Sequence, residues 1–307
     1  MSSNDSRTAV VTGANTGLGY ETSLVLAQRG FLVILACRSE EKAREAMDRI
    51  RRKAPEAKLA FLPLDLIDRD SIRAFAEAFG RDHAGLDVLV NNAGVMGPPH
   101  TITPNGLELQ FDANHLGHFL LTQCLFDRLD QDRETRVVNV SSLAGKFEEA
   151  DIFFDNLNFE GNYLEGPEFM GLPGMLAYGQ SKLANILFTL ELRDRCARAG
   201  KQVKAVVTHP GASNTDLSRN MPWIIRFLAP LLVRVMNIST PAEGAESLVY
   251  AALDPTVEAG QFIGPTGKDE HVGPPGRCAL PPKANDKALC ERLWTRSEEL
   301  LGIEFTI

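Results

Sequence analysis

The sequence lacks the marks of several large protein classes. It has only five cysteines in 307 residues, Cys37, Cys124, Cys196, Cys278 and Cys290, and no Cys-x-x-Cys pair. An odd, scattered set excludes a disulfide framework or a zinc knuckle and reads as reduced, intracellular thiols. It has no basic tract. Its 32 lysines and arginines face 40 acids, for a net charge of −8, so no nucleic-acid partner is expected. No run approaches the roughly 18 apolar residues of a spanning helix. The opening MSSNDSR is polar, without the apolar stretch of a secretory signal. The expectation is a cytoplasmic chain with no transmembrane segment. It also lacks internal repeats, low-complexity tracts and linkers, so one domain over 1–307 is the economical reading.

What is there is ordinary globular material, 44% hydrophobic and 23% charged, enough for a sizeable core. Apolar, β-branched runs at 8–12, 31–36, 58–64, 87–90, 137–140, 203–208 and 261–263 read as strands. Their near-continuous apolar character suits strands buried on both faces. Helical patterns at 18–29, 40–53, 69–83, 107–130, 176–199 and 242–253 alternate with them. This rhythm predicts an α/β fold, a doubly wound parallel sheet of the Rossmann kind with helices on both faces. Three stretches stand outside it: an insertion at 146–176, a segment at 217–240, and a Gly/Pro-rich extension at 265–307 that closes with a helix-like 286–301. The first two follow the sheet's carboxyl edge, where open α/β sheets bind ligands.

The first strand runs straight into Thr12-Gly13-Ala14-Asn15-Thr16-Gly17-Leu18-Gly19, and a helical pattern follows. Glycines there permit a tight turn and close approach of the backbone to a pyrophosphate, which the helix N-terminus then faces with free N–H groups. The second strand ends at Ala36-Cys37-Arg38-Ser39. An acid at this place would bond a ribose 2′-hydroxyl and repel a 2′-phosphate, whereas arginine is a strong phosphate partner. Arg38 therefore predicts NADP(H) over NAD(H). No metal is expected.

Further along stand Asn91-Asn92-Ala93-Gly94, Asn114 within ANHLGHF, Ser141-Ser142-Leu143-Ala144-Gly145, Tyr178-x-x-x-Lys182, and His209-Pro210-Gly211-Ala212-Ser213-Asn214-Thr215. Tyr178 and Lys182, one helical turn apart, would share a face. A free phenol has a pKa of about 10, and two nearby positive charges would favour the phenolate; bringing it toward neutrality takes roughly 4 kcal/mol. The GxxxGxG spacing and this ordered set, spanning about 7–255, resemble the short-chain dehydrogenases/reductases. The resemblance implies that Tyr178 is the acid/base and that Lys182 lowers its pKa and binds the nicotinamide ribose. Ser142 would hydrogen-bond the substrate oxygen, and Asn114 would anchor a proton relay by holding a water near Lys182. Cofactor contacts are implied for Gly13, Asn15, Thr16, Gly17, Leu18, Gly19, Arg38, Asp65, Leu66, Asn92, Gly94, Tyr178, Lys182, Pro210, Gly211 and Thr215, with Thr215 on the nicotinamide carboxamide. Ser141 reads as a backbone partner at a strand end, and His115, His118 and His209 as structural.

Strings such as TGANTGLG, ANHLGHFLLT and AYGQSKLANILFTLEL resemble the retinol dehydrogenase and protochlorophyllide reductase-like branch. That branch implies a retinoid, steroid or other bulky apolar carbonyl or alcohol. Ala212 after Pro210-Gly211, where the light-driven reductases typically have cysteine, argues against photochemistry. MPWIIRFLAPLLVRVM carries apolar residues at helical spacing, broken by Pro222 and Pro230. It reads as a substrate lid, with an oligomer contact or ordinary core as alternatives; a strongly basic face for membrane attachment is missing. The insertion's aromatic residues could line the pocket or bury against the sheet. The leading reading is an NADP(H)-dependent oxidoreductase for an apolar carbonyl or alcohol. Reduction of an activated C=C bond, or a non-catalytic NADP-binding sensor, are the alternatives, and a homo-oligomer stays open.

Overall fold

A computed structural model describes residues 7–129, 133–161, 174–212 and 239–307. Eight strands form one sheet in the order β3-β2-β1-β4-β5-β6-β7-β8. They are β1 (Thr8–Thr12), β2 (Leu32–Cys37), β3 (Lys58–Pro63), β4 (Val88–Asn91), β5 (Thr135–Val140), β6 (Val203–Thr208), β7 (Phe262–Pro265) and β8 (Pro275–Cys278). All pairings through β7 are parallel. The apolar strand runs follow from burial on both faces. Ala9, Val11, Val33 and Leu35 face one core cluster, while Val10, Ile34 and Ala36 face the other, the period-2 alternation of an extended chain.

The first cluster is covered by α1 (Gly17–Gln28), α2 (Glu40–Lys53) and α7 (Pro241–Leu253). The second is covered by α3 (Arg69–Asp82), α5 (Gly117–Leu125), part of α6 (Met175–Arg198) and Trp294 of α8 (Lys287–Leu301). Local chemistry sets the helix starts. Ser39 and Asp68 accept N–H groups at the heads of α2 and α3, and Thr240 with Glu243 forms a reciprocal capping box on α7. Strand order reverses between β1 and β4, which opens a crevice at their carboxyl ends. Among the described residues no helix is long and apolar enough to cross a membrane.

The doubly wound parallel sheet stands as expected, and two details depart from the sequence pattern. The sheet is not parallel at its last edge: β8 pairs antiparallel with β7. Its sequence, PGRC, has no β-branched residue, so neither propensity nor alternation marks it. The 107–130 pattern is not one helix either. It divides into α4 (Leu109–Phe111), a π-turn at Asp112–Leu116, α5 and a 3₁₀ turn at Phe126–Arg128. Pairing of Arg69 with the buried Asp112 carboxylate ties that π-turn to α3.

The described part of the insertion is anchored in the core at separated positions, while Phe147, Glu148, Glu149, Asp155 and Glu160 around them are exposed. Ala150, Ile152 and Leu157 join a third core cluster with α6 and α8, and Gln180 Oε1 accepts from the Phe153 N–H at 2.9 Å. The insertion's remainder, and nearly all of the 217–240 segment read as a lid, lie outside the described residues.

Candidate active site

The turn after β1 is shaped by close approach. Gly13 has a φ of 65°, Gly17 of 54°, values that strain any residue with a Cβ. Gly19 is short of space instead: a Cβ there would stand 2.5 Å from Gly13 O and 2.6 Å from Asn92 Nδ2. α1 therefore begins hard against the turn, and its first turn carries no acid. Asn15, Thr16 and Gly17 are half-buried and Leu18 is buried. The result is a backbone cradle at a positive helix end, suited to an anion. Arg38 is exposed at the end of β2, just before the cap of α2. Asp65 closes a turn beyond β3, accepting from Ile67 N at 3.2 Å, and Leu66 packs its backbone against Gly117.

Thr12 joins the cradle to the rest of the site. Its hydroxyl accepts the N–H groups of Asn92 and Ala93, both at 2.9 Å, and Asn92 Nδ2 donates to Thr12 O at 2.8 Å. The same hydroxyl lies 2.9 Å from His118 Nε2, whose Nδ1 lies 2.9 Å from the Asn114 carbonyl. A carbonyl can only accept, so Nδ1 carries the proton and Nε2 accepts from Thr12. Burial pulls His118 down to about 4, so the ring is neutral, as that pattern requires.

Asn114 sits in the π-turn with its side chain fully engaged. Oδ1 accepts from Val95 N at 2.8 Å; Nδ2 donates to Val95 O at 2.9 Å and Ser181 Oγ at 3.0 Å. It braces the 92–97 loop against α6. Gly94 leaves the gap between them: a Cβ there would lie 3.1 Å from Asn114 Oδ1 and 3.6 Å from Lys182 Nζ.

Ser142 caps the 3₁₀ turn Leu143–Lys146, accepting from Ala144 N at 3.2 Å. Gly145 lets that turn touch α6, since its Cβ would stand 2.8 Å from Leu183 N. Ser141 donates to the Lys182 carbonyl at 2.8 Å, the backbone role expected of it. Tyr178 and Lys182 project from the first turns of α6, 4% and 3% exposed. Lys182 Nζ lies 5.6 Å from the Tyr178 ring centroid and donates to Val140 O at 3.0 Å. Within the protein alone, burial pushes the Tyr178 phenol up to about 12, with a hydrogen bond from Ser142 pulling the other way; the nicotinamide ring, one of the two positive charges expected to lower it, belongs to the nucleotide. Burial also pulls Lys182 down to about 8. In both groups desolvation by burial is the largest cause.

Sequence reasoning missed Thr12 and His118 as connectors, although both stand inside the quoted motifs. It also missed the apolar wall beside Tyr178, made by Ala144, Met175, Met96 and Leu176. Pro210 and Gly211 follow β6 at the same sheet edge, half-buried. Thr215 lies outside the described residues.

Comparison with known proteins places this constellation in context. The short chain dehydrogenase family model matches residues 7–152. The chain is 37% identical over 314 residues to retinol dehydrogenase 14 of Homo sapiens, covering 97% of this chain and 87% of that protein. It is 39% identical over 303 residues to retinol dehydrogenase 11 of Homo sapiens, covering 97% and 86%. The solved structure of an uncharacterised protein from Mycobacterium paratuberculosis matches at a TM-score of 0.76 and 35% identity, covering 98% of this chain and 95% of that one.

Proposed function

Because the chain belongs to the short-chain dehydrogenase family and to its retinol dehydrogenase-like branch, we propose that it is an NADP(H)-dependent oxidoreductase interconverting a carbonyl and an alcohol on an apolar substrate. The observation that carries this reading is a buried phenol beside Ser142, one turn from a buried lysine. The bound nucleotide supplies or accepts the hydride. The residues fit such a nucleotide: the glycine cradle is one a Cβ would fill, the head of α1 has no acid, and exposed Arg38 offers a guanidinium to a 2′-phosphate.

A phenol that stays protonated near neutrality is a donor to a substrate oxygen gaining negative charge. Tyr178 thus gives the proton in reduction, and Ser142 orients the oxygen by hydrogen bonding. Lys182 contributes positive charge within the site and a donor for the nucleotide ribose. Asn114 acts as a brace for the 92–97 loop and α6. Thr215, beyond the described residues, is assigned the carboxamide contact on the resemblance alone. The apolar wall of Met96, Met175 and Leu176 favours a substrate with an extended hydrocarbon body.

NADPH and NADH consumption are to be followed against a panel of ketones, aldehydes and enones. Expected is turnover of an apolar ketone or aldehyde with NADPH, and loss of about 10²–10⁴-fold in Tyr178→Phe with nucleotide binding retained. Equal or better kinetics with NADH would sink the cofactor assignment, turnover confined to enones would shift the reaction to C=C reduction, and substantial activity in Tyr178→Phe would refute the mechanism.

A further inference from the structure

The connection between β7 and β8, residues 266–274, folds back over the carboxyl ends of β5 and β6. It is built to do so. Gly267 N donates to Val272 O at 3.0 Å and Thr266 N to Pro274 O at 2.9 Å, closing a tight tip. At that tip Asp269 and Glu270 hold φ values of 53° and 57°, a region non-glycine residues rarely occupy. Non-glycine residues persist there where the surroundings hold them, and such positions cluster at functional sites.

Glu270 meets two parts of the candidate site at once. Lys146 Nζ lies 2.5 Å from Glu270 Oε2, with 18% and 25% of the side chains exposed. Lys146 ends the 3₁₀ turn that Ser142 caps. His209 Nε2 lies 3.2 Å from the same oxygen, fully buried, a contact outside hydrogen-bond geometry; its Nδ1 accepts from Gly211 N at 3.2 Å, and burial keeps the ring neutral. His209 opens the segment that holds Pro210 and Gly211. The tip also holds that segment by backbone, Ala212 N donating to His271 O at 2.9 Å, and a Cβ on Gly211 would collide with the same carbonyl. Phe262 is the floor, 4.9 Å from the His209 ring centroid and 5.3 Å from Lys146 Nζ.

We propose that Glu270 is a positioning residue for the proposed hydride-transfer reaction: its carboxylate locks the Ser142 turn to the 209–212 segment and so holds the Ser142 hydroxyl on Tyr178. This rests on the functional reading above. Glu270 touches neither substrate nor reacting atoms, and acts through Lys146 and His209. The trio His209, Glu270 and Cys278 also brings ligand-type atoms within 4.8 Å of one another. The Lys146 ammonium already occupies the carboxylate, which makes this cluster a charge clamp rather than a cation site.

The test compares wild type, Glu270→Gln, Lys146→Met, Lys146→Arg and the Glu270→Gln/Lys146→Met double variant, with kcat and KM scaled to folded, nucleotide-titrated sites. Expected is a loss of about 10- to 100-fold in kcat for Glu270→Gln, the scale of a misplaced catalytic group, with little change in KM for the carbonyl substrate. Lys146→Met should match it, the double variant should be no worse than either single change, and Lys146→Arg should recover most of the activity. A merely structural role would lower the melting temperature and leave kcat per folded site unchanged, and that result would overturn the proposal. So would multiplying losses in the double variant, failure of both single variants to fold, or stoichiometric zinc in the purified protein. An active wild type with an indifferent Glu270→Gln sinks the clamp alone. A wild type inactive on the whole panel sinks the functional reading, and the positioning role with it.

Discussion

Lys182→Met should stabilise the protein at neutral pH while abolishing turnover. Lys182 is 3% exposed, and burial lowers it from an ordinary 10.5 to about 8. At about 1.4 kcal/mol for each tenfold change in proton affinity, holding that charge in the fold costs about 3 kcal/mol at pH 7. Methionine matches the length of the apolar stem. Val140 O keeps a partner, because Asn185 Nδ2 also donates to it at 3.1 Å. Losing the lysine's own bond removes about 1–2 kcal/mol, which leaves a net gain of about 1–2 kcal/mol. For a chain of this size that is a rise of about 2–3 °C in melting temperature. The pH dependence is the stricter check. Between about pH 8 and 10.5 the unfolded lysine holds a proton that the folded one has released, so wild type gains stability relative to the variant as pH rises through that window. Below about pH 8 the gap stands in full. Comparing the two proteins removes the shared alkaline destabilisation from the buried thiols, which burial raises. The assay is thermal and urea unfolding at several pH values from 7 to 10.5, without added nucleotide. A variant less stable than wild type at pH 7, or a gap of equal size at pH 7 and 10.5, would refute the reasoning. The lysine is then kept for chemistry and not for the fold.

Gly19→Ala should abolish nucleotide binding, because its Cβ would stand 2.5 Å from Gly13 O; retained NADPH affinity by fluorescence titration would show that the turn has room to give. Arg38→Asp should weaken NADPH binding about 10- to 100-fold, the worth of a charge-assisted phosphate contact, while improving NADH; the ratio of the two kcat/KM values reads this directly. Thr12→Val leaves the N–H groups of Asn92 and Ala93 without their 2.9 Å acceptor; a loss of about 2 kcal/mol in urea unfolding is expected, with kcat falling because the 92–97 loop carries Gly94 past Lys182.

Much of the fold was legible in the sequence because its signals are local. β1, α2 and β6 lie at the residues expected, and other boundaries moved by a residue or a few. Strands buried on both faces must be apolar at every position, and helices over them must show a stripe, so both write themselves into consecutive residues. The glycine turn was legible for the same reason, since a tight turn and a close approach restrict residue type within eight positions.

The sequence alone determined the layered α/β architecture, the cradle beneath a bare helix end, and the placing of Ser142, Tyr178 and Lys182 on neighbouring carboxyl-edge elements. Only the tertiary structure decided what depends on partners far away in the chain. β8 exists because β7 offers an edge, not because PGRC favours extension. The 107–130 segment is broken by a π-turn whose Asn114 bonds Val95 and Ser181, partners that local spacing does not reveal. The depth at which Tyr178 and Lys182 are buried, which pushes the phenol up and the ammonium down, is set by the elements that close over α6. Glu270 reaches Lys146 across 124 residues of chain, a distance over which no spacing rule operates. Periodicity and turn chemistry act within a few residues, whereas burial and ion pairing are properties of the closed fold.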